Sequence, residues 1–253
     1  MKAMSDWIMK GLDWDNPLRI RSASALTSWV QEIGFLPFFA NETPGFSVEE
    51  HTASHAWWTG NHSTDPWEWR EEIAASHMVA YGKFFDGRAG FISQQWLPYF
   101  ANARRLGWDF DGKWQDGRAP AREKAIMAHF MNVESIDDPE FNGAAILSTE
   151  LKKMAGFGKG GEKNFPGILT GLQMQLYLVI SGFRKRTSKR GTDYGMPVSV
   201  LMTPESIWGY DAMTVAYKEE PHESWQRIFE HARKLWPADD AAIIKLIGKR
   251  PEE

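Results

Sequence analysis

Two glutamines one residue apart, Gln173 and Gln175, are the side chains whose type and spacing suggest chemistry in this sequence. Each carboxamide has an acceptor oxygen and two donor hydrogens, so a pair can hold a water while its own orientation is fixed by donation. Such a water can be aimed at an electron-poor carbon. Both amides must then point the same way. Residues two apart do so on a strand, whereas on a helix they diverge by about 200°. Leu172, Met174, Leu176, Leu178 and Ile180 alternate with Gln173, Gln175, Tyr177 and Val179, and this period of two predicts a strand. The alternative is a strand edge whose amides satisfy neighbouring backbone groups.

The flanking residues predict the elements that position the pair. Asn164, Pro166 and Gly171 bracket a short helix, with a capping residue, a first-turn proline and a terminal glycine. Arg184, Lys185, Arg186, Lys189 and Arg190 predict a basic turn, and Pro197–Met202 a second strand closing a hairpin. Upstream, Ala121–Val133 and a segment capped by Ser148 and ended by Gly156 predict two more helices, joined to the third through the glycine-rich stretch 157–163. Three helices followed by a basic hairpin predict a winged helix-turn-helix, in which a helix enters a groove and the wing meets phosphates. The three glycines lack Walker A spacing and predict a backbone that approaches a phosphate.

Charge supports the same segment. Residues 150–190 hold nine basic residues against two acidic ones, a net of +7 in a chain whose total is −4. Concentrating positive field on one face attracts a polyanion to it. Lys152, Lys159, Lys163, Arg184, Lys185, Arg186, Lys189 and Arg190 are the expected DNA contacts. The chain has 253 residues and no cysteine, which excludes disulfides, thiolate nucleophiles and cysteine-ligated zinc. His51, His55, His62 and Asp65 lie near one another in sequence, but no helical His-Glu motif accompanies them, so neither a metal nor another cofactor is assigned. The N-terminal stretch is broken by charges and no run of eighteen apolar residues occurs, so a cytoplasmic protein without membrane partners is expected.

The remaining chain reads as scaffold. A helix is predicted from Ser22 or Ser24 to Gly34, and an aromatic-rich stretch from 35 to 70 that builds core or lines a cleft. A β-hairpin is predicted at 78–93 around Asp86-Gly87, with Lys83 on it as a conceivable imine-forming amine that nothing desolvates. A helix over 96–105 ends in Arg104-Arg105, suited to its dipole, and a loop at 107–120 marks a domain boundary. Helices starting at Pro221 and spanning Ala241–Ile247 close the chain. The expected class is α+β. An aromatic-rich mixed α/β region occupies 1–118, a winged helix-turn-helix 119–210 and a C-terminal helical extension 211–253.

With Leu172-Gln173-Met174-Gln175 set between a helix and a strand of such a unit, the sequence resembles the AlkZ-like DNA glycosylases, a family of tandem winged-helix proteins. Trp67-Glu68-Trp69 and the Tyr81-Gly82-Lys83-Phe84-Phe85 hairpin also look like shorter AlkZ-related proteins. The resemblance implies that Gln173 and Gln175 place a hydrolytic water at the glycosidic bond of an alkylated base, with double-stranded DNA as partner. The sequence departs from the family in length, in having one winged helix, and in carrying the motif past its middle. The competing class is a non-catalytic winged-helix DNA-binding protein or regulator.

Overall fold

The computed structural model describes residues 9–131, 143–187, 191 and 193–252. The Ser22 hydroxyl accepts the Ala25 N–H at 3.1 Å and starts α1 (Ala23–Ile33), which Gly34 ends at a φ of 93°. The short strand β1 (Phe35–Pro37) follows, and after two 3-10 turns Asp65 caps α2 (Pro66–Ser76), its carboxylate accepting the Trp67 N–H. Next come the predicted hairpin, β2 (Val79–Phe85) and β3 (Arg88–Ser93), then α3 (Leu97–Arg105). The stretch expected to be a loop at 107–120 contains a helix, α4 (Phe110–Gln115), which buried Phe110 anchors to an apolar core.

The middle of the chain runs α5 (Ala121–Met127), β4 (Ile146–Leu147), α6 (Ser148–Met154), α7 (Phe165–Met174), β5 (Val179–Thr187) and β6 (Asp193–Met202). Ser148 is the first residue of α6 and not its cap, which is Leu147. Two short helices, α8 (Pro204–Trp208) and α9 (Tyr210–Thr214), precede α10 (Pro221–Leu235) and α11 (Asp240–Ile247).

The fold is mixed α/β around one six-stranded antiparallel sheet of order β1-β3-β2-β5-β6-β4. Its two halves are joined where β2 meets β5, at the pair Tyr81–Ile180. Two apolar cores lie along the sheet. One gathers Phe35, Trp69, Phe85 and Phe100 with Trp225, Ile228 and Ile243, so the C-terminal helices complete the core that the N-terminal residues begin. The other gathers Phe110, Ile126, Leu151, Phe165, Leu172 and Leu201, all from residues 110–201. Ile180 touches both.

The strand expected from Leu172 to Ile180 is corrected. Residues 165–174 are helical, and the strand begins only at Val179. Phe165, Leu169 and Leu172 are the buried apolar side chains of α7, at spacings of four and three, and their burial in the second core outweighs the alternation. Arg184, Lys185 and Arg186 lie within β5 and not in a turn. Val133 lies outside the described residues.

Gly90 allows the backbones of β1 and β3 to close up, since a Cβ there would lie 2.8 Å from the Leu36 carbonyl oxygen and nearer still to the Phe85 ring. Gly90→Ala is therefore expected to cost about 1–3 kcal/mol, as overpacking does, read as a lowered urea midpoint.

Candidate functional site

The two glutamines occupy different environments. Gln173, on the buried face of α7, is only 3% exposed. Its Oε1 accepts the Lys83 N–H of β2 at 3.0 Å and its Nε2 donates to the Leu169 carbonyl at 3.4 Å. At Gly82 a Cβ would lie 2.7 Å from the Phe84 ring and 3.2 Å from the Gln173 oxygen, so the glycine leaves room for both side chains. Gln175, one residue past the helix, is partly exposed; its oxygen accepts from Lys113 Nζ at 2.9 Å and its Nε2 donates to the Gly171 carbonyl at 3.2 Å and toward Glu123 at 3.5 Å. Lys113 also pairs with Glu123 at 3.2 Å. The expectation of two amides side by side on one strand face is thus corrected: helical geometry sends them apart, one into the sheet and one toward α4 and α5.

The chain leaves α7 through Leu176, which sits in the left-handed region at a φ of 60°. The Tyr177 N–H returns to the Leu172 carbonyl and the Leu176 N–H to the Gln173 carbonyl, both at 2.9 Å. This is the Schellman closure, with leucine where glycine is usual. Two arginines from the end of α3 take up the remaining carbonyls. Arg104 donates to Met174 O at 3.0 Å and to Ile247 O, while Arg105 donates to Gln175 O and Leu176 O. The pair stands in the last turn of its own helix, as expected, and also satisfies a neighbouring helix end.

Arg105 is 3% exposed and gathers further groups. Its Nη1 lies 2.5 Å from Glu205 Oε1, 3.3 Å from the Tyr217 hydroxyl and 3.8 Å from Asp109 Oδ1. Burial alone would lower its pKa, but the Glu205 carboxylate, with Tyr217 and Tyr177 beside it, reverses that and holds the guanidinium charged. Burial pushes the Glu205 carboxyl up, against the pull of Arg105. The 2.5 Å contact has the length of a charge-assisted bond, and we read the pair as ionised. The Tyr177 ring lies between the Arg105 guanidinium at 4.7 Å and Lys113 Nζ at 5.4 Å, and so links the ion pair to the Gln175 cluster. Tyr210 donates to Asp109 Oδ2 at 2.5 Å, a bond that raises the tyrosine pKa well above its ordinary value.

The basic residues lie apart from this cluster. Lys152 on α6, Lys159 and Lys163 in the turn before α7, and Arg184, Lys185 and Arg186 on β5 are all exposed. Among the described residues none of these six forms an ion pair, and Arg186 sits over the exposed Tyr194 ring at 5.4 Å. Lys189 and Arg190 lie outside the described residues. Within the turn Gly161 has a packing role, since a Cβ there would lie 2.2 Å from the Gly156 carbonyl oxygen, whereas one on Gly158 or Gly160 would meet open space. Of the histidines considered as metal ligands, His51 bonds the Gly45 carbonyl, His55 packs on Trp14 and His62 pairs with Glu68. Lys83 is exposed and its amine has no partner among the described residues. No described helix is long and apolar enough to cross a membrane.

Sequence reasoning missed Arg105, Asp109, Lys113, Glu123, Glu205 and the three tyrosines. Arg105, Asp109 and Lys113 follow one another at intervals of four, but Glu123, Tyr177, Glu205, Tyr210 and Tyr217 come from distant parts of the chain that no local spacing connects to them. Replacing Arg105 by Met leaves Glu205 buried without its partner and is expected to cost about 3–5 kcal/mol, whereas Arg105→Met with Glu205→Leu recovers much of the loss; denaturant melts of both variants check this.

Comparison with known proteins places this chain by family alone. Neither a curated protein nor a solved structure matches it. A family model described as AlkZ related matches residues 20–248, which takes in both apolar cores, the Arg105 cluster and the basic elements. The chain belongs to the AlkZ-related family.

Proposed function

We propose that the protein is a winged-helix DNA-binding protein that acts as a DNA glycosylase on alkylated bases in duplex DNA. The observation that carries the reading is the order α5, β4, α6, α7, β5, β6, with β4 pairing onto β6 and exposed cations on α6, the α6–α7 turn and β5 that form no ion pair among the described residues. A winged helix has this order: three helices, a small strand after the first, and a hairpin that pairs with that strand. Lys152, Lys159, Lys163, Arg184, Lys185 and Arg186, with Lys189 and Arg190 beyond the described residues, then meet phosphates, and α7 lies between them.

Family membership supports glycosidic hydrolysis as the chemistry. Alkylation leaves a base cationic and easily displaced, so a positioned water and a polar environment for the oxocarbenium-like sugar suffice. Of the two amides, Gln175 takes the water-positioning role in this reading, since Gln173 is buried and committed to the backbone. That burial is also what favours the second reading, a DNA-binding protein without catalysis.

Two measurements test the proposal. Arg184, Lys185 and Arg186 replaced together by Ala should weaken duplex binding irrespective of sequence and flatten the plot of log K against log salt by about 0.9 for each phosphate that is no longer neutralised; an unchanged slope removes β5 from the interface. With a duplex bearing 7-methylguanine, Gln175→Ala should slow base release by about 10²–10³-fold while binding persists. Gln173→Ala should instead lower stability by about 1–3 kcal/mol by stranding the Lys83 N–H. Duplex binding without base release by the wild type selects the non-catalytic reading.

A further inference from the structure

We infer that the outer part of the β5–β6 hairpin is a stacking surface for an unpaired nucleobase, so that the protein binds a duplex carrying such a base in preference to a perfect one. This rests on the DNA-binding reading and not on glycosidic hydrolysis. The hairpin is tied to the sheet only at its inner end. There β5 meets β2 at Tyr81–Ile180, and β6 meets β4 at Ile146–Leu201 and Leu147–Val200. From Arg184 outward the described residues of the two strands pair only with each other. A two-stranded ribbon of this kind is marginally stable in water on its own, and a ligand that covers it adds what the core does not.

On this ribbon Arg184, Lys185, Arg186, Tyr194, Gly195 and Met196 are all exposed. Tyr194 is 50% exposed and Met196 70%. A single apolar side chain at a surface is ordinary, but these two stand together at a built irregularity. Arg184 pairs with Val198 and Arg186 with Tyr194, so a step of two residues on β5 faces a step of four on β6. Gly195, at a φ of 74°, lies in this bulge, and a Cβ on it would lie 3.4 Å from Arg186 Nη2. Bulges re-aim side chains, and here the result is a guanidinium set over the Tyr194 ring at 5.4 Å. The ring is thus held by a cation while half of the residue stays open.

Charge selects the ligand. Arg184, Lys185 and Arg186 attract a phosphodiester backbone, but a tyrosine ring and a thioether gain little from phosphate and much from the face of a base. In a perfect duplex those faces are stacked, and the grooves present only base edges. An unpaired base offers its face at the lowest unstacking cost. Stacking on Tyr194 tolerates any base, because each has a π face, and the flexible Met196 side chain adapts to the irregular step beside it.

Fluorescence anisotropy with a perfect duplex, and with the same duplex carrying one unpaired adenine, tests the assignment. The wild type is expected to bind the second about 5- to 100-fold more tightly, which is what stacking one base on an aromatic ring supplies. Tyr194→Ser combined with Met196→Ser is expected to bring that ratio to about one while the perfect-duplex Kd and the melting temperature stay at their wild-type values, since the phosphate contacts and the core are untouched. Tyr194→Phe keeps the ring and is expected to keep the preference. Equal binding of both duplexes by the wild type overturns the stacking surface and leaves the DNA-binding reading standing, as does a preference that survives the double substitution. Binding to neither duplex overturns both.

Discussion

The end of α7 depends on the buried guanidinium of Arg105. A helix that stops on a leucine at positive φ has given up the conformational ease that glycine supplies at that position. Leu176 is fully buried, so its apolar contacts hold the residue in place, and Arg105 donates to the carbonyls that the closure leaves open. The same guanidinium binds Glu205, which begins the chain's return from the sheet toward its C-terminal helices. One side chain from α3 thereby ties the exit of α7 to the segment after β6.

That connection is one of several between the two cores. The first core needs α10 and α11 from the far end of the chain, and the second is built from the middle alone. Sheet pairing between them is narrow, a single register pair at Tyr81–Ile180. The seam is reinforced by polar contacts that cross it: Gln173 on Lys83, Arg104 on Met174 and Arg105 on Gln175. Arg70, 4% exposed and stacked between Trp67 and Phe183, adds a cation–π contact from α2 to β5. The Trp67-Glu68-Trp69 stretch is therefore part of the seam.

Charge is divided by depth. Cations that hold the fold are enclosed and paired with carbonyls or carboxylates, whereas those on α6, the following turn and β5 are exposed and lack ion-pair partners among the described residues. An exposed, unpaired lysine is ordinary on any surface. A set of them along consecutive elements of one small core, in a chain of net negative charge, gives that core a field the rest of the protein lacks.

Local sequence determined much of this protein. The hairpin around Asp86-Gly87, α1 between Ser22 and Gly34, α3 and the helix from Pro221 follow from caps, turn residues and periodicity, all of which act over a few residues. The family resemblance was legible as well, through Leu172-Gln173-Met174-Gln175 and the Tyr81–Phe85 hairpin. What the sequence did not disclose was the conformation at the motif itself. There an alternating pattern and a helical one overlap, and the usual stop signal is absent because a leucine stands at the position of the terminal glycine. Tertiary structure decided the outcome: the second core buries Phe165, Leu169 and Leu172 together only on a helix, and an arginine some seventy residues earlier in the chain stabilises the exit. Most of the cluster around that arginine was equally hidden: Asp109 lies one helical turn on, but Glu205 and Tyr217 come from segments a hundred or more residues away that only folding brings within 4 Å of the same nitrogen.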